Sequence, residues 1–346
     1  MKKSFYSALL SISLLSFTGY SQQTAAPTQT FQELMDLGVV QSRQGNYPLA
    51  QNYFTQAIQL QPDNAVAYYS RGVTKSNLKD NRGAINDFDK AIELNPRYSD
   101  AYIGRGTSKA RQEDHKGALQ DYNRGIDLNP VDANAYFSRG YSKSKLENYK
   151  GALSDYNKSL DLTPDNALGY AARGVVRQKL EDYKGSLEDF SKAIELSPKR
   201  PSSYSGRAYS KMKMADYKGA IADYTNAIKN DPLFGEAYLN RALLKQKIGD
   251  VKGALADVNI TISIEPRRSD AYTTRADINY KAKEYKSAIE DCKQSIQLNP
   301  KDYIAYNIRG LSYIHIQDKK SACSDFSKAI QLGSQSAVKN KKMFCK

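Results

Sequence analysis

Eight arginines and eight aspartates recur at a fixed separation of sixteen residues: Arg71/Asp87, Arg105/Asp121, Arg139/Asp155, Arg173/Asp189, Arg207/Asp223, Arg241/Asp257, Arg275/Asp291 and Arg309/Asp325. An aspartate next to an arginine can move protons or hold an anion, so these pairs are the first place to look for chemistry. A catalytic centre needs one shaped site, whereas eight equivalent pairs serve architecture better. The expected chemistry is an Arg–carboxylate bridge between two elements, within a repeating unit or to the next one. Either partner alone would leave a partly buried charge unpaired, at considerable cost. Both are lost together where the pattern begins, at Leu37 and Tyr53. Arg139, Asp155, Arg173 and Asp189 are therefore assigned structural roles.

Other reactive residues are sparse. No G-x-S-x-G elbow, HExxH or P-loop pattern occurs. His115 and His315 are far apart, and Cys292, Cys323 and Cys345 have no CxxC spacing. The sequence predicts no metal site, no cofactor and no enzymatic activity. Cys292 reads as a small buried hydrophobe.

The elements that position the pairs follow from a period. Pro62, Pro96, Pro130, Pro164, Pro198, Pro232, Pro266 and Pro300 are all 34 residues apart. With Pro as position 32, nine windows begin at Phe31, Ala65, Ser99, Ala133, Ala167, Pro201, Gly235, Ser269 and Tyr303. A fixed period of this length marks a helical solenoid, in which each unit packs mainly on its neighbours. Each window holds two helical patterns, over about positions 2–14 and 17–30. Asp or Asn at position 16 (for example Asp80 and Asp114) can cap the second helix. Pro at position 32 stops it. Small residues at position 8 (Gly72, Gly140) and position 20 (Ala84, Ala152) let the two helices approach, and Tyr136, Tyr156 and Leu160 fill the remaining space. Gly333 ends a helix, and Gln335–Cys345 reads as a short final one.

This pattern resembles the tetratricopeptide repeat family. Gly72, Ala84, Ala91 and Pro96 match its positions 8, 20, 27 and 32 directly. The family's Trp at position 4 is here Leu34 followed by eight Tyr, and the chain has 26 Tyr and no Trp. The resemblance covers residues 31 to about 336. It implies an all-α, right-handed superhelical solenoid of nine helix-turn-helix repeats, followed by a capping helix at 335–346. It also implies a concave face lined by positions 2, 5, 9, 12 and 13 of the first helices. Those positions give candidate binding residues of two kinds. Tyr69, Ile103, Phe137, Tyr141, Tyr209 and Leu243 are apolar or aromatic. Arg111, Lys145, Lys179, Lys213 and Lys247 form a basic ladder at position 13. Position 11 adds Lys75, Lys109, Lys143, Arg177, Lys211 and Lys245, expected near the groove edge.

The expected function is a non-enzymatic protein-interaction scaffold of the bacterial envelope, holding an extended acidic or amphipathic segment. The alternative is a polyanion, nucleic acid or acidic polysaccharide, drawn by the formal net charge of +14. Met1–Ser21 reads as a signal peptide: Lys2 and Lys3, an apolar stretch from Phe5 to Phe17, then small Gly19 and Ser21 before a cleavage point. Residues 22–30 read as a disordered lead-in. The mature chain is expected to carry no transmembrane anchor and to be periplasmic, outer-membrane-associated or secreted. That destination weighs against nucleic acid. The Cys-bearing last repeat, with an LG step before the final helix, and the Ser-Gln-Gln start are similar to exported tetratricopeptide proteins of Bacteroidetes-type bacteria. An oxidising destination permits a Cys323–Cys345 disulfide that staples the last helix. The alternative is two unpaired thiols.

Overall fold

A computed structural model describes residues 29–346; the predicted signal segment and most of the lead-in lie outside the described residues. Nineteen helices follow one another without strands among the described residues. Odd-numbered helices α1 to α17 occupy positions 1–13 of the windows, and even-numbered helices α2 to α16 occupy positions 17–30. In the fourth repeat these are α7 (Ala133–Lys145) and α8 (Tyr149–Leu162); in the ninth, α17 (Tyr303–His315) and α18 (Lys319–Gln331). The final α19 spans Gln335–Phe344. The first helix of each repeat thus starts and ends about one residue before its expected bounds. Thr30, expected in the lead-in, is the N-cap of α1 and forms a capping box with Glu33.

Each repeat is a tight antiparallel helix pair packed on the next pair. Successive odd-numbered helices also meet one another along most of the array, while even-numbered helices do not. The odd-numbered helices therefore form the inner layer of a right-handed solenoid. The second helices start where expected. Asp80, Asp114, Asp182, Asp216 and Asp250 each accept a hydrogen bond from the backbone N–H three residues on, at 2.8–2.9 Å. In the first eight repeats they stop two residues before Pro, with the C-cap between them in extended geometry, as at Asn95 with φ −138°.

The core is a thin strip of rings at position 24. Phe54, Phe88, Tyr122, Tyr156, Phe190, Tyr224 and Phe326 are almost fully buried. Burying one such ring contributes roughly 1.5–3 kcal/mol. Position 8 must be small because it lies against these rings. A Cβ on Gly38 would sit 2.5 Å from the ring of Phe54. Where position 24 shrinks to Val258 and Cys292, position 8 grows to Ala242 and Ala276. Ala208 opposite Tyr224 is not explained this way. Cys292 is fully buried among Ala276, Ala305 and Ile308, and burial pushes its thiol pKa well up.

The candidate binding face and the ion pairs behind it

The eight Arg–Asp pairs are made within each repeat. In the fourth, Arg139 Nε and Nη2 donate to the two carboxylate oxygens of Asp155 at 2.9 and 2.7 Å. The same two-pronged bond recurs from Arg71–Asp87 to Arg309–Asp325. The third prong points backward. Nη1 of Arg105, Arg139, Arg173, Arg207, Arg241 and Arg275 donates to Asp89, Asn123, Asn157, Ser191, Thr225 and Asn259 of the preceding repeat, at 2.7–3.2 Å. Arg71 reaches Thr55 at 3.4 Å. The corresponding residue before Arg309 is Lys293, which pairs with Glu290 instead. Each guanidinium also lies over the position-4 tyrosine, 5.3–5.9 Å from its centroid. Tyr204 and Tyr272 donate their hydroxyls to the carbonyls of Pro198 and Pro266 at 3.1 Å. Tyrosine at position 4 thus stacks on the arginine and, in these repeats, also ties the repeat to the proline before it. The Asp121 and Asp89 carboxylates raise the pKa of Arg105, although burial alone would lower it.

The position-11 cations are not at the groove edge. Lys75, Lys109, Lys143, Lys211 and Lys245 place Nζ 2.8–2.9 Å from the carboxylate of the Asp that their repeat's arginine already holds. Arg177 reaches Asp189 at 3.1 Å. The reason is helical: position 11 is four residues after position 7 and lies on the same stripe, facing the second helix. That spacing was visible in the sequence and would have placed them. Asn279 takes the same role in the eighth repeat, donating to Asp291.

Positions 9 and 13 form a second stripe, also four apart, on the inner face. Tyr141, Val175, Tyr209 and Leu243 are 46, 45, 38 and 44% exposed, in four successive repeats. Arg111, Lys145, Lys179, Lys213 and Lys247 are exposed beside them, and none has a carboxylate partner among the described residues. Four of them rest on rings or backbone instead. Lys145 lies 5.4 Å from the centroid of Tyr141, and Lys247 lies 4.4 Å from Tyr217. Lys213 sits between Tyr209 and Tyr183, at 5.7 and 5.9 Å. Arg111 donates to the carbonyl and hydroxyl of Ser76. The run of unpaired cations ends at Lys281, which pairs with Asp277 at 2.6 Å.

Position 5 mostly packs between helices. Tyr69 is half-buried against Phe88 and Tyr98, with ring centroids 5.8 and 5.0 Å apart. Phe137 is half-buried against Tyr156 at 5.5 Å. Ile103 is half-buried and packs on α6 (His115–Leu128) over Gly125. The structure still brings three predicted residues together: Arg111, Phe137 and Tyr141 line one open cleft of about 310 Å³, with Thr107 and Tyr122 between them. A related cleft of about 330 Å³ two repeats on holds Lys179, Tyr209 and Glu236. His115, passed over as a ligand, lies beside Tyr141. Among the described residues no group of three or more His, Cys, Asp or Glu is placed to hold a metal ion.

At the C-terminal end, Cys323 and Cys345 are bonded through their sulfurs, 2.00 Å apart. The bond joins the end of α19 to α18. Asn340 on α19 also donates to Asn307 on α17 at 2.9 Å. No described helix is long and apolar enough to cross a membrane.

Tetratricopeptide repeat models match residues 35–74, 77–133 and 206–259, and a second set matches 133–166, 167–200 and 269–302. The chain belongs to the tetratricopeptide repeat family. It is a repeat scaffold of the kind that serves protein–protein interaction. Comparison with curated proteins gave no match. Among solved structures, the chain is similar to the APC/C hetero-tetramer Cut9–Hcn1, at 15% identity and a TM-score of 0.56, covering 82% of this chain and 55% of that one. It is similar to PilF of Pseudomonas aeruginosa at 18% identity and a TM-score of 0.52, covering 58% of this chain and 92% of that one. These likenesses concern the fold.

Proposed function

We propose that the inner face of the third to seventh repeats binds an extended acidic or amphipathic segment of another protein, and that it does so after export to the bacterial envelope. The observation that carries this reading is the 9/13 stripe. Five successive cations, Arg111 to Lys247, stand without carboxylate partners beside exposed Tyr141, Val175, Tyr209 and Leu243. Cations in such a row attract an acidic segment from a distance, and the apolar side chains supply the anchors that hold it. Export is supported by the charged and apolar pattern of Met1–Ser21 and by the Cys323–Cys345 bond, which suits an oxidising compartment.

The test is site-specific photo-crosslinking in the native cell from positions 141 and 209, paired with affinity measurements on the protein captured. The expected result is one acidic partner crosslinked from both positions, bound at least tenfold more weakly after Tyr141→Ala and Tyr209→Ala together. A partner held equally well by that double variant would sink the groove assignment. Equal affinity for RNA, heparin and acidic peptides, falling steeply with salt, would replace it with polyanion binding.

A further inference from the structure

The two ends of the array differ in charge and both expose apolar side chains. At the N-terminal end, Glu33, Asp36, Leu37 and Val40 of α1 (Phe31–Arg43) lie on one face at helical spacing and, with Gln29, line an open cleft of about 430 Å³. Val40 is 44% exposed. Position 7 is where the second to eighth repeats each send an arginine back to the repeat before. Here that position is Leu37, so the seam that is polar along the array is apolar at its open end. At the C-terminal end, α19, the last described helix, packs on α17 and α18 as the first helix of a further repeat would. Its open side shows Val338 and Met343, 47 and 58% exposed, among Lys339, Lys341 and Lys342. The disulfide and the Asn340–Asn307 hydrogen bond hold this helix in place. Terminal repeats of solenoids are kept soluble by a polar outer face. At both ends exposed apolar side chains stand beside charge of one sign, Glu33 and Asp36 at one end and Lys339, Lys341 and Lys342 at the other.

We infer that copies of this chain associate head to tail, the acidic α1 face of one copy on the basic α19 face of the next. Unlike ends meet, so the contact is heterologous and extends into a row of copies rather than closing as a two-fold dimer. It is independent of the 9/13 stripe.

Sedimentation velocity on the purified full chain at low salt, over a wide concentration range, tests this. The wild type should show a mass that rises with concentration and falls back toward one chain in high salt. Asp36→Lys alone and Lys342→Glu alone should each remain at the mass of one chain, since each variant now faces itself with like charges. Mixing the two variants one to one should restore association, because each supplies the end that the other lost. A wild type that stays at one chain throughout, as when the chain's own preceding residues or a different partner cover α1, overturns the inference. So does self-association that survives either single variant, which would place the contact elsewhere, or a mixture that stays dissociated.

Discussion

Two columns of cations run through the middle repeats of this solenoid on the same helices, two residues apart in sequence. The position-11 column, from Lys75 to Lys245, is spent. Each cation closes on an aspartate that an arginine already holds, and the lysines in it are only 17–24% exposed. The position-13 column, from Arg111 to Lys247, is exposed and meets no carboxylate. Two residues turn an α-helix by more than half a circle, so one column faces the partner helix and the other faces the groove. A count of basic residues cannot tell them apart. Net charge is therefore a poor guide to function here: the position-11 cations are neutralised inside their repeats, and of these two columns only the second is available to a partner.

The contrast can be broken by experiment. The largest effect is expected from Asp155→Ala, which strands Arg139 and Lys143 together. Leaving a buried pair half-made costs about 3–5 kcal/mol. Hydrogen exchange should show that loss of protection concentrated in α7 and α8, and a change under about 1 kcal/mol would mean that these bridges are not structural. Next is the triple variant Lys145→Glu, Lys179→Glu, Lys213→Glu. It should leave thermal unfolding almost unchanged, within about 0.5 kcal/mol per site, and reduce affinity for the crosslinked partner by more than tenfold. A large fall in stability would erase the distinction between the columns. The smallest effect is expected from Lys143→Met. Asp155 keeps its arginine, so the cost is about 1 kcal/mol of stability, with partner affinity unchanged. Weakened binding in that variant would return position 11 to the groove.

The ends of the array sharpen the same lesson. The loss of Arg and Asp at Leu37 and Tyr53 reads in the sequence as an end unit. Its meaning as an open apolar seam depends on knowing that the arginine's third nitrogen reaches the preceding repeat. The cysteines show the converse. Burial of Cys292 was legible because it replaces a ring at position 24 of a strict period. Cys323 and Cys345 left two readings open, because sequence separation does not say whether two Cα atoms come within the 5.8 Å found here.

By itself the sequence determined the nine units, the helix pairs, the caps at position 16 other than Asn46, which makes no capping bond, the stops at position 32 and the existence of the Arg–Asp bridge. Each of these follows from local backbone preferences and from a period that repeats one solution many times. Tertiary structure decided where each charged side chain is used: the bridge within a repeat, its third prong reaching back, the position-11 cations consumed and the position-13 cations left free. It also decided that position 5 packs while position 9 is exposed. Those outcomes depend on what lies across from a side chain once two helices have closed on each other, and spacing along the chain does not carry that information alone.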